Sequence, residues 1–151
     1  EHFSKWDIHN EGTQTSIKKI IYALDSERIN LRKKLRYKAP HFPLADYYDN
    51  KGAEWMYGTS AQKDIKISKN WREHIDLNKH RYILEDIKIG LSLMYSVAEW
   101  LKIRVPITSG LLDISSILLG ENIKKTGRTL TNLNINNFSV TELKNKLNGG
   151  R

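Results

Sequence analysis

The chain has 151 residues, 39% of them hydrophobic, no cysteine, and a formal charge of +8. That length can bury a real core and fits one ordinary domain. Zero cysteine excludes a disulfide scaffold and a thiolate metal site and suits a reducing cytoplasm. The longest nearly uncharged run, Ile89 to Ala98, is too short to cross a bilayer, and the first residues carry no signal-peptide pattern.

In chain order, the first strong element follows the turn Gly12-Thr13. Thr13, Thr15 and Ser16 offer N-caps. Ile17, Ile20, Ile21, Leu24, Leu31 and Leu35 then recur at helical spacing. This helix is predicted to reach about Arg36 and to stop before Pro40. Its basic end, Arg32, Lys33, Lys34, Arg36 and Lys38, reads most simply as cations near a helix C-terminus. A short helix is predicted around Leu44 to Asp49. Trp55 to Lys69 shows no clean period, and Gly58-Thr59-Ser60 predicts a loop.

A long helix is predicted from about Arg81 to Lys102. Beyond Pro106, Thr108 or Ser109 is expected to cap a further helix with Leu111, Leu112, Ser115, Leu118 and Leu119 on one side and Gly120 as its C′ residue. Ser139-Val-Thr-Glu142 has the form of a capping box, and Gly149 ends the last helix. Strand alternation is nowhere convincing. The fold class is therefore all-α, as a single multi-helix domain over 1–151.

The stretch HRYILEDIKIGL, residues 80 to 91, places two adjacent acids inside an apolar run. At about 100° per residue, Glu85, Lys88, Ser92, Ser96 and Glu99 form a polar stripe expected to face water. Asp86 falls instead with Ile89, Gly90, Leu93, Val97 and Trp100, so it is expected to point inward and to require a partner. An alternative for Asp86 is a first-turn acid that complements the helix dipole. Arg81 has an alternative as well, an (i, i+4) pair with Glu85. Arg81 and Asp86 are five apart and would not share a face of one α-helix, though they could still converge if Arg81 sits before the first full turn. Gly90 costs about 1 kcal/mol inside a helix relative to alanine, which is understandable if something approaches closely there.

HRYILEDIKIGL resembles the arginine-tyrosine, glutamate-aspartate and glycine-leucine segment of the NAD(P)-dependent octopine/nopaline (opine) dehydrogenases. EGTQTSIKKIIYALDSERINLRKKL is similar to that family's glycine-threonine turn and "LD-ER" helix. WLKIRVPITSGLLDISSILLGENIKKTGRTL resembles its closing region, a "VP" turn, a helix ending in leucine-glycine, and a glycine-arginine-threonine-leucine motif. The likeness spans roughly residues 8 to 135, in order.

The resemblance implies an N-terminal Rossmann domain for NAD(H) or NADP(H), and a helical C-terminal substrate domain of the 6-phosphogluconate dehydrogenase C-terminal type. The latter is what this chain resembles. It further implies reductive condensation of an amino acid with a 2-oxo acid. A catalytic histidine–aspartate pair is implied, with the aspartate falling on Asp86 and a substrate-binding arginine on Arg81. Such an aspartate orients the histidine and stabilises its cation, and an arginine fork suits a carboxylate.

The family's histidine belongs to a His-Pro motif upstream of the glycine-threonine turn, and no histidine here precedes proline. That residue and the Rossmann domain are therefore expected before residue 1, because no GxGxxG fingerprint occurs either. The chain is expected to bind no cofactor by itself and to be inactive alone. The expected partners are the two substrates and the chain's own Rossmann domain, with room for a homodimer and without nucleic acid or membrane. The family pattern has proline-tyrosine where this chain has Lys88-Ile89, which leaves the substrate open. Gly127-Arg128-Thr129 reads as a tight turn without a chemical role. His74 and His80 around Asp76 read as solvated loop residues rather than a metal site. Trp55, Tyr57, Trp71 and Tyr82 read as core. Two competing functions remain: a silent helical interaction or dimerisation domain, and a basic nucleic-acid-binding module, whose affinity would fall steeply with salt.

Overall fold

The computed structural model describes residues 12–48 and 76–149. Among these residues there are helices and no strands, so the all-α class holds. The helices are α1 (Thr15–Lys34), α2 (Leu44–Tyr48), a π-helix (Tyr82–Leu91) running directly into α3 (Ser92–Trp100), α4 (Pro106–Leu119), α5 (Ile123–Thr126) and α6 (Val140–Leu147). None is long and apolar enough to cross a membrane. The chain divides into two compact units, Glu1–Asn30 with Lys38–Asp76, and Leu31–Tyr37 with Leu77–Arg151.

In the first unit the "LD-ER" motif has a structural task. Asp25 is 5% exposed. Its Oδ1 accepts a hydrogen bond from Arg28 Nε at 2.6 Å, and its Oδ2 accepts one from the backbone N–H of Leu44 at 2.8 Å. Arg28 Nη2 donates to the carbonyls of His41 and Phe42 at 3.0 and 2.8 Å. One buried carboxylate thereby ties α1 to the loop that starts α2 and satisfies an N–H at that helix's first turn. Burial of the charge is tolerable because each oxygen has a partner.

The second unit begins with the last turn of α1. There Leu31 is buried with Ala98 and Val105, and Met94, Tyr95, Leu101 and Ile103 pack around them. Tyr37 N–H donates to Arg32 C=O at 2.9 Å with Arg36 at φ 62, which closes α1 in a Schellman turn. The basic residues Arg32, Lys33 and Lys34 fill the last turn of α1, as the simpler reading expected, and the Arg32 guanidinium lies 4.9 Å from the Tyr37 ring centre. α3 ends the same way, with Lys102 at φ 56 and Ile103 N–H donating to Ala98 C=O at 2.9 Å. Gly120 at φ 65 closes α4, where a residue without Cβ is at ease.

α4 starts earlier than Thr108 or Ser109. Val105 is its N-cap and Pro106 opens the first turn, where the missing N–H costs nothing. Thr108 is inside the helix and fully buried, and the inward row is Thr108, Leu112 and Ser115. Leu118, expected on that side, is 48% exposed. The Ser139–Glu142 capping box is present in both directions and starts α6, and Gly149 follows its end at φ 78.

Candidate functional site

HRYILEDIKIGL does not form an α-helix. Residues Tyr82–Leu91 are wound as a π-helix, and at its end Ser92 N–H reaches back five residues to Ile87 C=O. In that register residues four to five apart share a face. Exposure follows the same spacing. Ile83 and Ser92 are buried with half-buried Ile87 and Lys88 between them, while Arg81, Glu85, Asp86 and Gly90 are exposed. π-turns are rare and concentrate at functional sites, and this one coincides with the segment that carries the two candidate residues.

The winding corrects one expectation. Asp86 does not point inward; it is exposed, because the wider turn rotates it away from the row that an α-helical wheel assigns to it. Arg81, at the N-cap of the π-helix, and Asp86, five residues on, are both exposed. Among the described residues no hydrogen bond or ion pair engages the Asp86 carboxylate, and none joins Arg81 to Glu85. The Arg81 guanidinium instead lies 5.9 Å from the Tyr82 ring centre. Tyr82 also meets His80, with ring centres 4.4 Å apart, and donates its backbone N–H to His80 Nδ1 at 3.3 Å. His80 is thus occupied at the helix start. His74, Trp55, Tyr57 and Trp71 lie outside the described residues, and among the described ones no cluster could hold a metal ion.

The polar stripe is the second correction. Glu85 and Glu99 are exposed as expected, but Ser92 is fully buried, and Lys88 and Ser96 are half-buried. This stripe is where the segment after α5 docks. Ser96 Oγ accepts from Leu130 N–H at 2.9 Å. Ser92 Oγ lies 2.5 Å from Lys88 C=O and 3.2 Å from Arg128 C=O, each an acceptor for its hydroxyl. Arg128 N–H donates to the same Lys88 carbonyl at 3.1 Å. Lys88 Nζ pairs with Glu121 at 2.6 Å. Hydrogen bonds from Lys88 and then from Thr126 hold the Glu121 carboxyl below the usual carboxylate range. Gly127 is buried in this contact, and a Cβ there would stand 2.5 Å from Ser92 Oγ and 2.6 Å from Lys88 O. The Gly-Arg-Thr motif is therefore a docking element whose glycine is demanded by close approach.

A further cluster escaped sequence reasoning. Lys124 Nζ lies 5.0 Å from the Tyr95 ring centre, pairs with Asp113 at 2.7 Å and donates to Ser109 Oγ at 2.8 Å. Burial, and next the Glu99 carboxylate, push the Tyr95 hydroxyl above its ordinary range, against the pull of Lys124. Open cavities of about 320 and 430 Å³ lie on either side of Tyr95 and Glu99. The residues of the cluster, Tyr95, Glu99, Ser109, Asp113 and Lys124, come from α3, α4 and α5, so no local spacing marks them. Lys124 is saturated by its partners, which makes the cluster a packing device between helices.

The described residues contain no strand and hence no β-α-β unit, and the sequence has no glycine fingerprint for a pyrophosphate. What the second unit offers is a helical scaffold with the exposed Arg81 guanidinium at the N-cap of the π-helix and, within it, the exposed Asp86 carboxylate, which has no partner among the described residues.

Comparison with known proteins gives that scaffold its class. The chain belongs to the family described as NAD/NADP octopine/nopaline dehydrogenase, alpha-helical domain, whose model matches residues 1–119. It is an opine dehydrogenase family domain, and so of an oxidoreductase family. Among its relatives is Protein ocs of Agrobacterium vitis, 27% identical over 85% of this chain and 36% of the relative. Opine dehydrogenase of Arthrobacter sp. (strain 1C) is 24% identical over 95% of this chain and 40% of the relative. Vitopine synthase of Allorhizobium ampelinum is 31% identical over 46% of this chain and 19% of the relative. The chain thus spans less than half the length of the curated relatives it matches.

Proposed function

We propose that this chain is the substrate-binding helical domain of an NAD(P)-dependent opine-dehydrogenase-like oxidoreductase that reductively condenses an amino acid with a 2-oxo acid. The observation that carries this is the π-helix, which has Arg81 at its N-cap and Asp86 within it, both exposed. Asp86 is free to engage a histidine from another domain. There it orients the imidazole and stabilises its cation while the outer nitrogen exchanges a proton with substrate. Arg81 supplies a fork for a substrate carboxylate. Both interactions strengthen once a cofactor domain covers the face and excludes water. NAD(P) is held mainly by that domain.

The test is NAD(P)H oxidation by the full-length protein with paired amino acids and 2-oxo acids. Asp86→Asn is expected to lower kcat by roughly 10²–10⁴-fold, on the scale of other histidine-orienting aspartates. Arg81→Met is expected to raise KM for a carboxylate substrate about tenfold or more. A near-wild-type rate in Asp86→Asn would remove Asp86 from the mechanism, and no oxidation with any pair would remove the reaction class.

A further inference from the structure

The π-helix has no visible reason to keep its register from its own sequence. Its hydrogen bonds reach one residue further than those of an α-helix, and α3 continues from it without a break. A transition from π to α winding changes which residues share a face, so it would turn Asp86 relative to Arg81. Something must hold the junction, and the structure places a compact contact there.

That contact is built around one carbonyl. Lys88 C=O accepts from Arg128 N–H at 3.1 Å and from Ser92 Oγ at 2.5 Å. Ser92 is fully buried and is the first residue after the π-helix. The same hydroxyl faces Arg128 C=O at 3.2 Å. Gly127 closes on this pair so tightly that a Cβ would overlap Ser92 Oγ, Ser92 Cβ and the Lys88 carbonyl oxygen. Asn132 Nδ2 in turn donates to Gly127 C=O at 2.9 Å, and Glu121 takes the Lys88 ammonium at 2.6 Å. Glu121, Gly127, Arg128 and Asn132 all lie beyond the segment that the family model matches.

We infer that Gly127, Arg128 and Ser92 form a clamp on the Lys88 carbonyl that fixes the π-register of residues 82–91, and that they are thereby positioning residues for Asp86. The positioning role rests on the function proposed above; the clamp itself does not. Asp86 stands two residues from Lys88, whereas Arg81 stands at the far end of the π-helix. A loosened clamp should therefore reach the histidine–aspartate pair before it reaches carboxylate binding.

The experiment compares Gly127→Ala and Ser92→Ala in the full-length protein. Ser92→Ala adds no atoms, so it tests the clamp even if Gly127→Ala fails to fold. Amide hydrogen exchange over residues 82–92 is expected to speed up at least tenfold in Gly127→Ala and at least threefold in Ser92→Ala, with α4 around Leu112 unchanged. The limb of the kcat–pH profile set by the histidine should move to lower pH, in the direction that Asp86→Asn moves it, because an imidazolium with a poorly placed carboxylate is less stabilised. A smaller folded fraction would lower the apparent kcat without moving that limb. Unchanged exchange at 82–92 in a folded variant overturns the clamp. Faster exchange with an unmoved limb overturns the positioning role. If the unmutated protein oxidises no cofactor, the proposed function fails and exchange alone decides the clamp.

Discussion

Two aspartates in motif-bearing helices invite comparison. Asp25, in the first unit, is 5% exposed, and both its oxygens are taken, by Arg28 and by the Leu44 N–H. Asp86, in the second, is exposed and unpaired among the described residues. A carboxylate that finds all its partners in its own unit is spent on the fold. One that finds none, on a rare backbone winding, remains available for chemistry or for a partner. The two should therefore respond oppositely to mutation, one through stability and the other through activity.

The largest effect that could break this contrast is on Asp86. Asp86→Asn is expected to cost roughly 10²–10⁴-fold in kcat and to change the unfolding free energy by less than about 0.5 kcal/mol, as for surface substitutions. Urea unfolding alongside the rate assay measures both, and a large loss of stability would class Asp86 with Asp25. The mirror experiment is Asp25→Ala. It leaves the Leu44 N–H and the Arg28 guanidinium without their shared acceptor and is expected to destabilise by about 3 kcal/mol. Turnover per folded molecule should be kept. Arg28→Ala should cost a similar amount, because it removes the strongest partner of a nearly buried charge.

The contrast was only half legible in the sequence. Helical spacing, the Ser139–Glu142 capping box and Gly120 as a helix stop are local signals, and the structure keeps them because local hydrogen bonds decide them. The start of α4 was misplaced because a proline at the first turn outranked the threonine and serine behind it. The side on which Asp86 lies was not legible, since the wheel assumed α-helical rotation and nothing in YILEDIKIGL announces a π-helix. The polar stripe misled for a related reason. Ser92 and Ser96 are polar because backbone groups from 36 and 34 residues later in the chain bond to them, and a one-dimensional pattern cannot tell that use of a hydroxyl from contact with water.

Gly90 sharpens the comparison at a smaller scale. It is exposed, and a Cβ would meet only Glu85 C=O at 3.7 Å, an ordinary contact. Nothing in the described chain requires a glycine there. Gly90→Ala is therefore expected to stabilise this domain by about 0.5–1 kcal/mol in urea unfolding. If the open face of the π-helix receives substrate or a second domain, the added methyl should also lower kcat/KM about tenfold. A gain in stability with undiminished activity would mean that nothing approaches closely at Gly90, which would weaken the case for the whole face.

The smallest expected effect separates carboxylates that support local structure from Asp86 by pH. Hydrogen bonds from Lys88 and Thr126 hold the Glu121 carboxyl below its ordinary range, and those from the Ser139 backbone and hydroxyl do the same for Glu142. A carboxyl whose pKa is lower in the folded state releases its proton more readily there. Its contribution to stability is complete above the unfolded-state value and is lost as pH falls through the folded-state value. Glu142 is exposed and Glu121 is still partly open to solvent, so each share is small. Glu121→Gln and Glu142→Gln should therefore flatten the fall of thermal stability between neutral pH and about pH 3 by a degree or so. Asp86→Asn, which removes a carboxylate with no partner among the described residues, should leave that fall as steep as before. Should Asp86→Asn flatten it as well, the carboxylate has a stabilising partner in solution, and its availability for catalysis would be lost.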